Sequence, residues 1–317
     1  MYFLITLIRN LLFDLNILRS RTYDEVCVVC VGNIRVGGTG KTPMTEYLIS
    51  SLKEEFELVV ISLGYKRKTK GLKEVQVSDD ASAVGDEPLQ MKKKFPDVHF
   101  FVNKDRNFAI DYIRKNLPQV RLILLDDAFQ YRRTAPNVTV LLTEYNRPYF
   151  KDKVIPYGRL REGQKSAERA DFFVVTKCPD NLSADDKQRF CSQLRLLSNQ
   201  RVFFSKICYD ESTLPMDCSK LLFVAGIDNP QPAVEFLRSK GFDTELKKYP
   251  DHHTYTLKDY EEIKRLAGNE RRIITTEKDA VRLEGSGLTF CVLKIRNETD
   301  NNFLNILKDE LRRHIGS

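Results

Sequence analysis

A lysine and a threonine close a glycine cluster near the start of the chain: Gly32-Asn33-Ile34-Arg35-Val36-Gly37-Gly38-Thr39-Gly40-Lys41-Thr42-Pro43. These residue types in this order suit phosphate chemistry. Glycines let successive backbone N–H groups turn inward around phosphate oxygens. A helix that begins there adds its positive dipole end. Lys41 has the reach for β- and γ-phosphates, and the Thr42 hydroxyl can ligate Mg²⁺. Pro43 falls in the first helical turn, where its missing N–H costs little. The usual phosphate loop has another glycine five residues before Gly40, and Arg35 stands there. A dinucleotide fingerprint fits worse, since it needs glycine at Pro43.

A second acidic signal is Leu122-Ile123-Leu124-Leu125-Asp126-Asp127. An aspartate at the C-terminal end of a buried parallel strand lands beside a phosphate loop, where a Mg²⁺ ligand belongs. Thr42, Asp126 and Asp127 are therefore the candidate metal ligands. Gly37, Gly38, Thr39, Gly40, Lys41 and Thr42 are the candidate nucleotide-binding residues.

These groups need a scaffold, and the hydropathy pattern supplies one. Apolar runs at Val26–Val31, Leu58–Ile61, Val98–Val102, Leu122–Leu125, Val138–Leu142 and Phe172–Val175 alternate with helical spacing at 43–56 and 107–116. That alternation predicts a parallel sheet with helices on both faces. The second half repeats it on a smaller scale. Strands are expected at Leu221–Val224, Ile273–Thr275 and Phe290–Leu293, and helices at 230–240, 256–267 and 302–314. The polar segment Ser205–Lys220, with Pro215, is taken as the connection between the halves.

Composition narrows the class. The 317 residues are 42% hydrophobic and 30% charged, enough for a packed core and too apolar for a disordered chain. The formal charge of +7 suits an anionic partner. Nucleic acid fits poorly, because there is no Trp and no interleaving of aromatic with basic residues. Seven cysteines at irregular spacing point to a reducing setting. Cys27 and Cys30 form a C-x-x-C inside a strand, where positions three apart face opposite ways, so a zinc or redox pair is not expected. No stretch is long and apolar enough to span a bilayer. Residues 1–18 instead have the size of an amphipathic helix, with Arg9 and Arg19 able to sit at headgroup level.

Several motifs in order resemble one family, the tetraacyldisaccharide 4′-kinases. They are the phosphate loop; Gly64-Tyr65 followed by a basic stretch; Gly85-Asp86-Glu87-Pro88; Asp126-Asp127-Ala128-Phe129-Gln130; and Leu160-Arg161-Glu162. Ala225-Gly226-Ile227, Asn229-Pro230, Pro250-Asp251-His252 and Thr276-Glu277-Lys278-Asp279-Ala280 complete the set. The family's phosphate loop also lacks the first glycine. The resemblance implies transfer of the γ-phosphate of ATP, with Mg²⁺, to the 4′-hydroxyl of a tetraacylated glucosamine disaccharide 1-phosphate in lipid A biosynthesis. It implies Asp86 as proton acceptor paired with His252, with Lys41 on the triphosphate. It assigns Tyr65, Arg67, Arg106, Gln130, Arg161 and Glu162 to substrate binding.

The implied architecture is a P-loop NTPase-like parallel sheet with helices on both faces, plus a smaller α/β C-terminal domain. Residues 1–20 would be a membrane-contacting helix, 21–205 the kinase domain and 206–317 the smaller domain closing over the site. The expected place is peripheral, on the cytoplasmic face of the bacterial inner membrane. The expected partners are the lipid substrate and the membrane surface; nothing in the sequence indicates a protein partner. The sequence departs from the family pattern at Leu63, Ala128 and Asp228, the last two standing where glycine is usual. A P-loop GTPase or ATPase acting as a conformational switch is the alternative, but Thr176-Lys177-Cys178-Pro179-Asp180 only faintly resembles a guanine-reading motif.

Overall fold

The computed structural model describes residues 2–300 and 302–316. Helix α1 (Tyr2–Asp14) precedes strand β1 (Cys27–Asn33), α2 (Lys41–Leu52), β2 (Leu58–Ser62), the short β3 (Lys73–Glu74) and the one-turn α3 (Ala81–Val84). Then come α4 (Asp86–Lys94), β4 (His99–Val102), α5 (Arg106–Asn116), β5 (Leu122–Asp126), β6 (Val138–Glu144), β7 (Phe172–Thr176), α6 (Ala184–Gln193) and β8 (Arg201–Tyr209). The second half runs β9 (Lys220–Ala225), α7 (Gln231–Ser239), β10 (Asp243–Lys248), α8 (Leu257–Ala267), β11 (Arg272–Thr276), α9 (Glu277–Leu283) and β12 (Phe290–Leu293). Strand β13 (Ile295–Thr299) and helix α10 (Phe303–Ile315) close it.

The strands form a nine-stranded sheet in the order β13-β8-β7-β6-β1-β5-β2-β4-β3 and a four-stranded sheet in the order β10-β9-β11-β12. Seven strands of the large sheet, β8 through β4, run parallel, and only its two edges, β13 and β3, pair antiparallel. Every residue of β1, β2, β5, β6 and β7 is buried, as continuous apolar strands covered on both faces must be. One face packs against α2, α4 and α10 through Leu48, Leu89, Phe303 and Leu307. The other packs against α5 and α6 through Ile110, Ile113 and Phe190. Cys27 belongs to the first core and Cys30 to the second, so the C-x-x-C pair points to opposite faces. Burial pushes both thiols up to about 12.

The small sheet is also parallel, with α7 on one face and α8 and α9 on the other. Its extent differs from the expected 206–317. The segment expected to connect the halves begins inside β8, and β13 and α10 return to the large sheet. Ile295 pairs with Tyr209, and Phe303, Leu307 and Leu311 are fully buried in the large core. The reason is hydrophobic: the face of β1, β6 and β7 beside α2 is otherwise uncovered, and the apolar stripe of α10 fills it.

Candidate active site

The phosphate-loop residues sit at the C-terminal end of β1, beside the ends of β5, β6 and β7. Gly40 caps α2 with φ 84°, and Gly37 has φ 109°, both in the region that glycine adopts without strain. Asn33 Nδ2 donates to the Thr39 hydroxyl, and Thr176 Oγ1 donates to Thr39 O at 2.8 Å. Thr39 is thus a buried clasp that holds the loop's shape. Lys41 Nζ lies 3.7 Å from Asp127 Oδ1.

Asp126 is buried at the end of β5, accepting from Thr45 Oγ1 at 3.0 Å and from Ser62 Oγ at 3.4 Å. Burial, together with the charges of Glu87 and Asp127, pushes its carboxyl up to about 7. A divalent cation would relieve this crowding. Among the described residues no group of three or more His, Cys, Asp or Glu forms a metal cage. Asp127 follows in the left-handed region with φ 47°. Burial would raise its carboxyl, but Lys41 and Arg161 outweigh it and hold it low.

The loop Gly85-Asp86-Glu87-Pro88 turns into α4. Gly85 has φ 94°, and a β-carbon there would crowd the Gly64 backbone at 3.1 Å, so glycine is needed. Asp86 Oδ2 accepts from His252 Nδ1 at 2.9 Å and from Arg282 Nε at 3.0 Å. Its Oδ1 accepts from the Glu87 amide at 3.0 Å. Lys278 Nζ donates to His252 Nε2 at 3.1 Å, which places the imidazole proton on Nδ1. The same ammonium reaches Glu87 Oε1 at 3.1 Å. Burial alone would raise the Asp86 carboxyl; the His252 bond and the charges of Arg282 and Lys278 outweigh it and hold it far below the usual carboxylate range. Asp86 comes from the large sheet unit and its three partners from the small one.

The acid–imidazole pair meets across the two sheets, and Glu87 beside it acts on Asp126, whose neighbour Asp127 faces Lys41, a combination suited to moving a phosphoryl group onto a hydroxyl. Comparison with known proteins agrees. Residues 1–312 match the family model described as tetraacyldisaccharide-1-P 4′-kinase. A protein of Flavobacterium johnsoniae named tetraacyldisaccharide 4′-kinase is 41% identical over 297 residues, covering 91% of this chain and 86% of its own. A Porphyromonas gingivalis protein of the same name is 40% identical over 295 residues, covering 87% and 82%. This chain belongs to the tetraacyldisaccharide 4′-kinase family. The crystal structure of LpxK from Aquifex aeolicus in complex with ATP superposes with a TM-score of 0.77 at 26% identity, covering 99% of this chain and 96% of that one.

The remaining residues that resemblance to the 4′-kinases singles out are distributed unevenly around this centre. Tyr65 is exposed, with its ring centroid 5.4 Å from that of His252. Arg161 Nη1 binds Asp127 at 3.0 Å and Gln130 Oε1 at 3.1 Å, and Gln130 Nε2 donates to Asn33 O at 2.7 Å. Arg106 is buried over the Tyr131 ring, and its Nε is a buried donor with no partner. Arg67 donates to Val102 O at 3.1 Å and to Gly71 O at 2.5 Å, so its guanidinium holds the 64–71 loop. Glu162 is fully buried between Arg9 at 2.6 Å and Arg169 at 2.7 Å. Arg9 is therefore tied to the protein body and not left for a headgroup. Neither Ala128 nor Asp228 has positive φ, so both replacements of glycine are unstrained.

Sequence reasoning missed Lys278 and Arg282. The signal was available: they stand four apart on α9, on one helical face, next to the buried Asp279 that fixes Arg282 at 3.0 Å. It missed Glu87 as well, although its neighbour was singled out.

Proposed function

We propose that this kinase transfers the γ-phosphoryl group of ATP to the 4′-hydroxyl of a tetraacylated glucosamine disaccharide 1-phosphate, giving the 1,4′-bisphosphate. The observation that carries this is the Asp86–His252 pair, 2.9 Å apart across the two sheets, whose neighbour Glu87 acts on the buried Asp126 at the end of β5. Phosphoryl transfer asks a protein mainly for position and charge neutralisation. The 37–42 backbone and Lys41 hold the triphosphate. Thr42, Asp126 and Asp127 would hold Mg²⁺, which supplies neutralisation of the phosphate charge. Asp86 is ionised, as a proton acceptor must be, and it takes the 4′-hydroxyl proton. His252 orients it, and Lys278 fixes the imidazole tautomer.

The sugar is received by Tyr65, Arg106 and Arg161. Arg106 has a donor to spare, and the exposed Tyr65 ring stands edge-on to His252. Arg67 and Glu162 act at one remove, shaping the Tyr65 loop and anchoring α1. The small sheet unit completes the site when it closes on the large one.

Helix α1 supports a membrane address. It docks through Arg9, Asn10 and the buried Phe13, with Arg132 Nη1 donating to Asn10 O at 2.9 Å. Leu4, Ile5, Leu7, Ile8 and Leu11 are exposed on it, continued by Leu15, Ile17 and Leu18. Apart from Phe13, which is buried, most of its apolar side chains turn outward while Arg9 and Asn10 turn inward, as in an interfacial helix. Among the described residues no helix is long and apolar enough to cross a membrane. The proposed location is the cytoplasmic face of the inner membrane, where ATP is available.

The test is direct. The protein is incubated with Mg·ATP and acylated disaccharide 1-phosphate in detergent micelles, and the lipid is examined for a second phosphate. Wild type yields the bisphosphate; Asp86→Ala lowers kcat by about 10²-fold or more, the scale of a lost base. Wild type that binds ATP but makes no bisphosphate would sink the assignment.

A further inference from the structure

The small sheet also touches the phosphate loop at the turn after β9. A β-carbon built on Gly37 would stand 3.5 Å from Asp228 Oδ2, and one on Gly38 would stand 3.6 Å from Asp228 Cβ. The carboxylate thus lies on the glycines that cradle phosphate. Arg147 Nη2 grips it at 3.2 Å. Arg147 is itself held by Glu144, at 2.8 Å through Nε and 3.2 Å through Nη2. Lys177 lies in the same cluster: its Nζ is 2.5 Å from Glu144 Oε1 and donates to Gly38 O. Burial would raise the Asp228 carboxyl, but Arg147, Lys177 and Arg159 outweigh it and keep it ionised.

A carboxylate bound to an arginine, flanked by further cations and lying against the glycine loop, does what a phosphate oxygen does. The triphosphate of ATP brings several negative charges to the same loop. Two anions then face one guanidinium, and like charges this close repel. Glu144 stays on Nε and Nη2 of Arg147 whichever anion shares Nη2 with it.

We propose that Asp228 is an internal stand-in for a nucleotide phosphate: it competes with ATP for Arg147, which is a further phosphate-binding residue of the kinase site. ATP binding then displaces the β9–α7 turn from the loop and turns Arg147 onto the phosphates. This rests on the ATP-kinase reading above and assigns it two more residues.

The test is a binding measurement that needs no lipid. The Kd of Mg·ATP is measured by calorimetry for wild type, Asp228→Asn, Arg147→Gln and the double variant. Asp228→Asn should tighten ATP about three- to tenfold, the scale of removing one screened like charge. Arg147→Gln should weaken it about tenfold. The benefit of Asp228→Asn should shrink in the Arg147→Gln background, since the two act on one contact. A merely structural Asp228 would lower the melting temperature on substitution without tightening ATP. Asp228→Ser serves as a second variant should the asparagine fold poorly. Unchanged or weaker ATP binding in folded Asp228 variants overturns the inference. Wild type that fails to bind Mg·ATP overturns instead the reading on which it rests.

Discussion

In the proposed role of proton acceptor, Asp86 combines two demands that pull against each other. A proton acceptor must be ionised, and Arg282 and His252 secure that; the same partners make it a weak base by holding its carboxyl low. In a loose transition state the hydroxyl loses its proton late, so ionisation and position matter more than basicity. Arg282 thus acts as a positioning residue with a measurable electrostatic effect. Replacing it with Leu removes a cation from Asp86, and the carboxyl pKa rises. More of the enzyme is then protonated at a given low pH. The acid limb of the kcat/KM profile should move to higher pH, so that activity at the acid end of the profile falls more than at pH 8. An Arg282→Lys variant should restore part of the shift. A uniform loss at all pH values would mean that Arg282 only holds the fold. The family signature did not show this residue; it showed Asp86 and His252 because they sit in motifs, whereas Arg282 lies just beyond the Thr276–Ala280 motif.

Helix α1 carries the clearest separation of roles among the elements. Its inner face is fixed by Arg9 on Glu162 and Arg132 on Asp14 at 2.8 Å, while Leu4, Ile5, Leu7, Ile8 and Leu11 face outward. Changing Leu7, Ile8 and Leu11 together to Ser should weaken binding to anionic vesicles at least tenfold, since each buried side chain contributes about 1.5–3 kcal/mol. The Kd of Mg·ATP should stay within about twofold. Equal loss of both would return α1 to an ordinary packing role. The sequence showed this element as amphipathic but not which side faces the protein, because that depends on Glu162, more than a hundred residues away. The continuous strands β1, β2, β5, β6 and β7 were legible, since burial on both faces leaves unbroken apolar runs. Strands β8, β10 and β13 were not. They stand near or at sheet edges, half-exposed, and their mixed residues, as in Asp243–Lys248, carry no period-2 signal. The glycine-rich loop between β1 and α2 was legible for a related reason: its residues are contiguous. The substrate side was less so, because Arg67 and Glu162 resemble free charges in sequence and are spent on the fold.

At the scale of the whole molecule the small sheet is an insertion. It leaves the large sheet at the end of β8 and returns at the start of β13, and these two strands pair, Tyr209 opposite Ile295. Asp210 N donates to Lys294 O at 2.9 Å, so the two ends of the insertion touch. An element attached by two adjacent strands can swing without disturbing the core behind it, which suits closure over a substrate. It also makes excision geometrically simple. Replacing residues 211–293 by Asn-Gly, the preferred two-residue turn for a hairpin, joins β8 directly to β13. The large sheet keeps β13 and the α10 residues Phe303, Leu307 and Leu311 that cover its face. The excised chain should unfold cooperatively and still bind Mg·ATP, because the 37–42 loop, Lys41, Asp126 and Asp127 all remain. It should form no bisphosphate above background, since Asp86 has lost His252, Lys278 and Arg282. An insoluble product, or one that unfolds without a cooperative transition, would show that the small sheet is part of the core. Retained phosphoryl transfer would show that Asp86 works without the partners that cross to it.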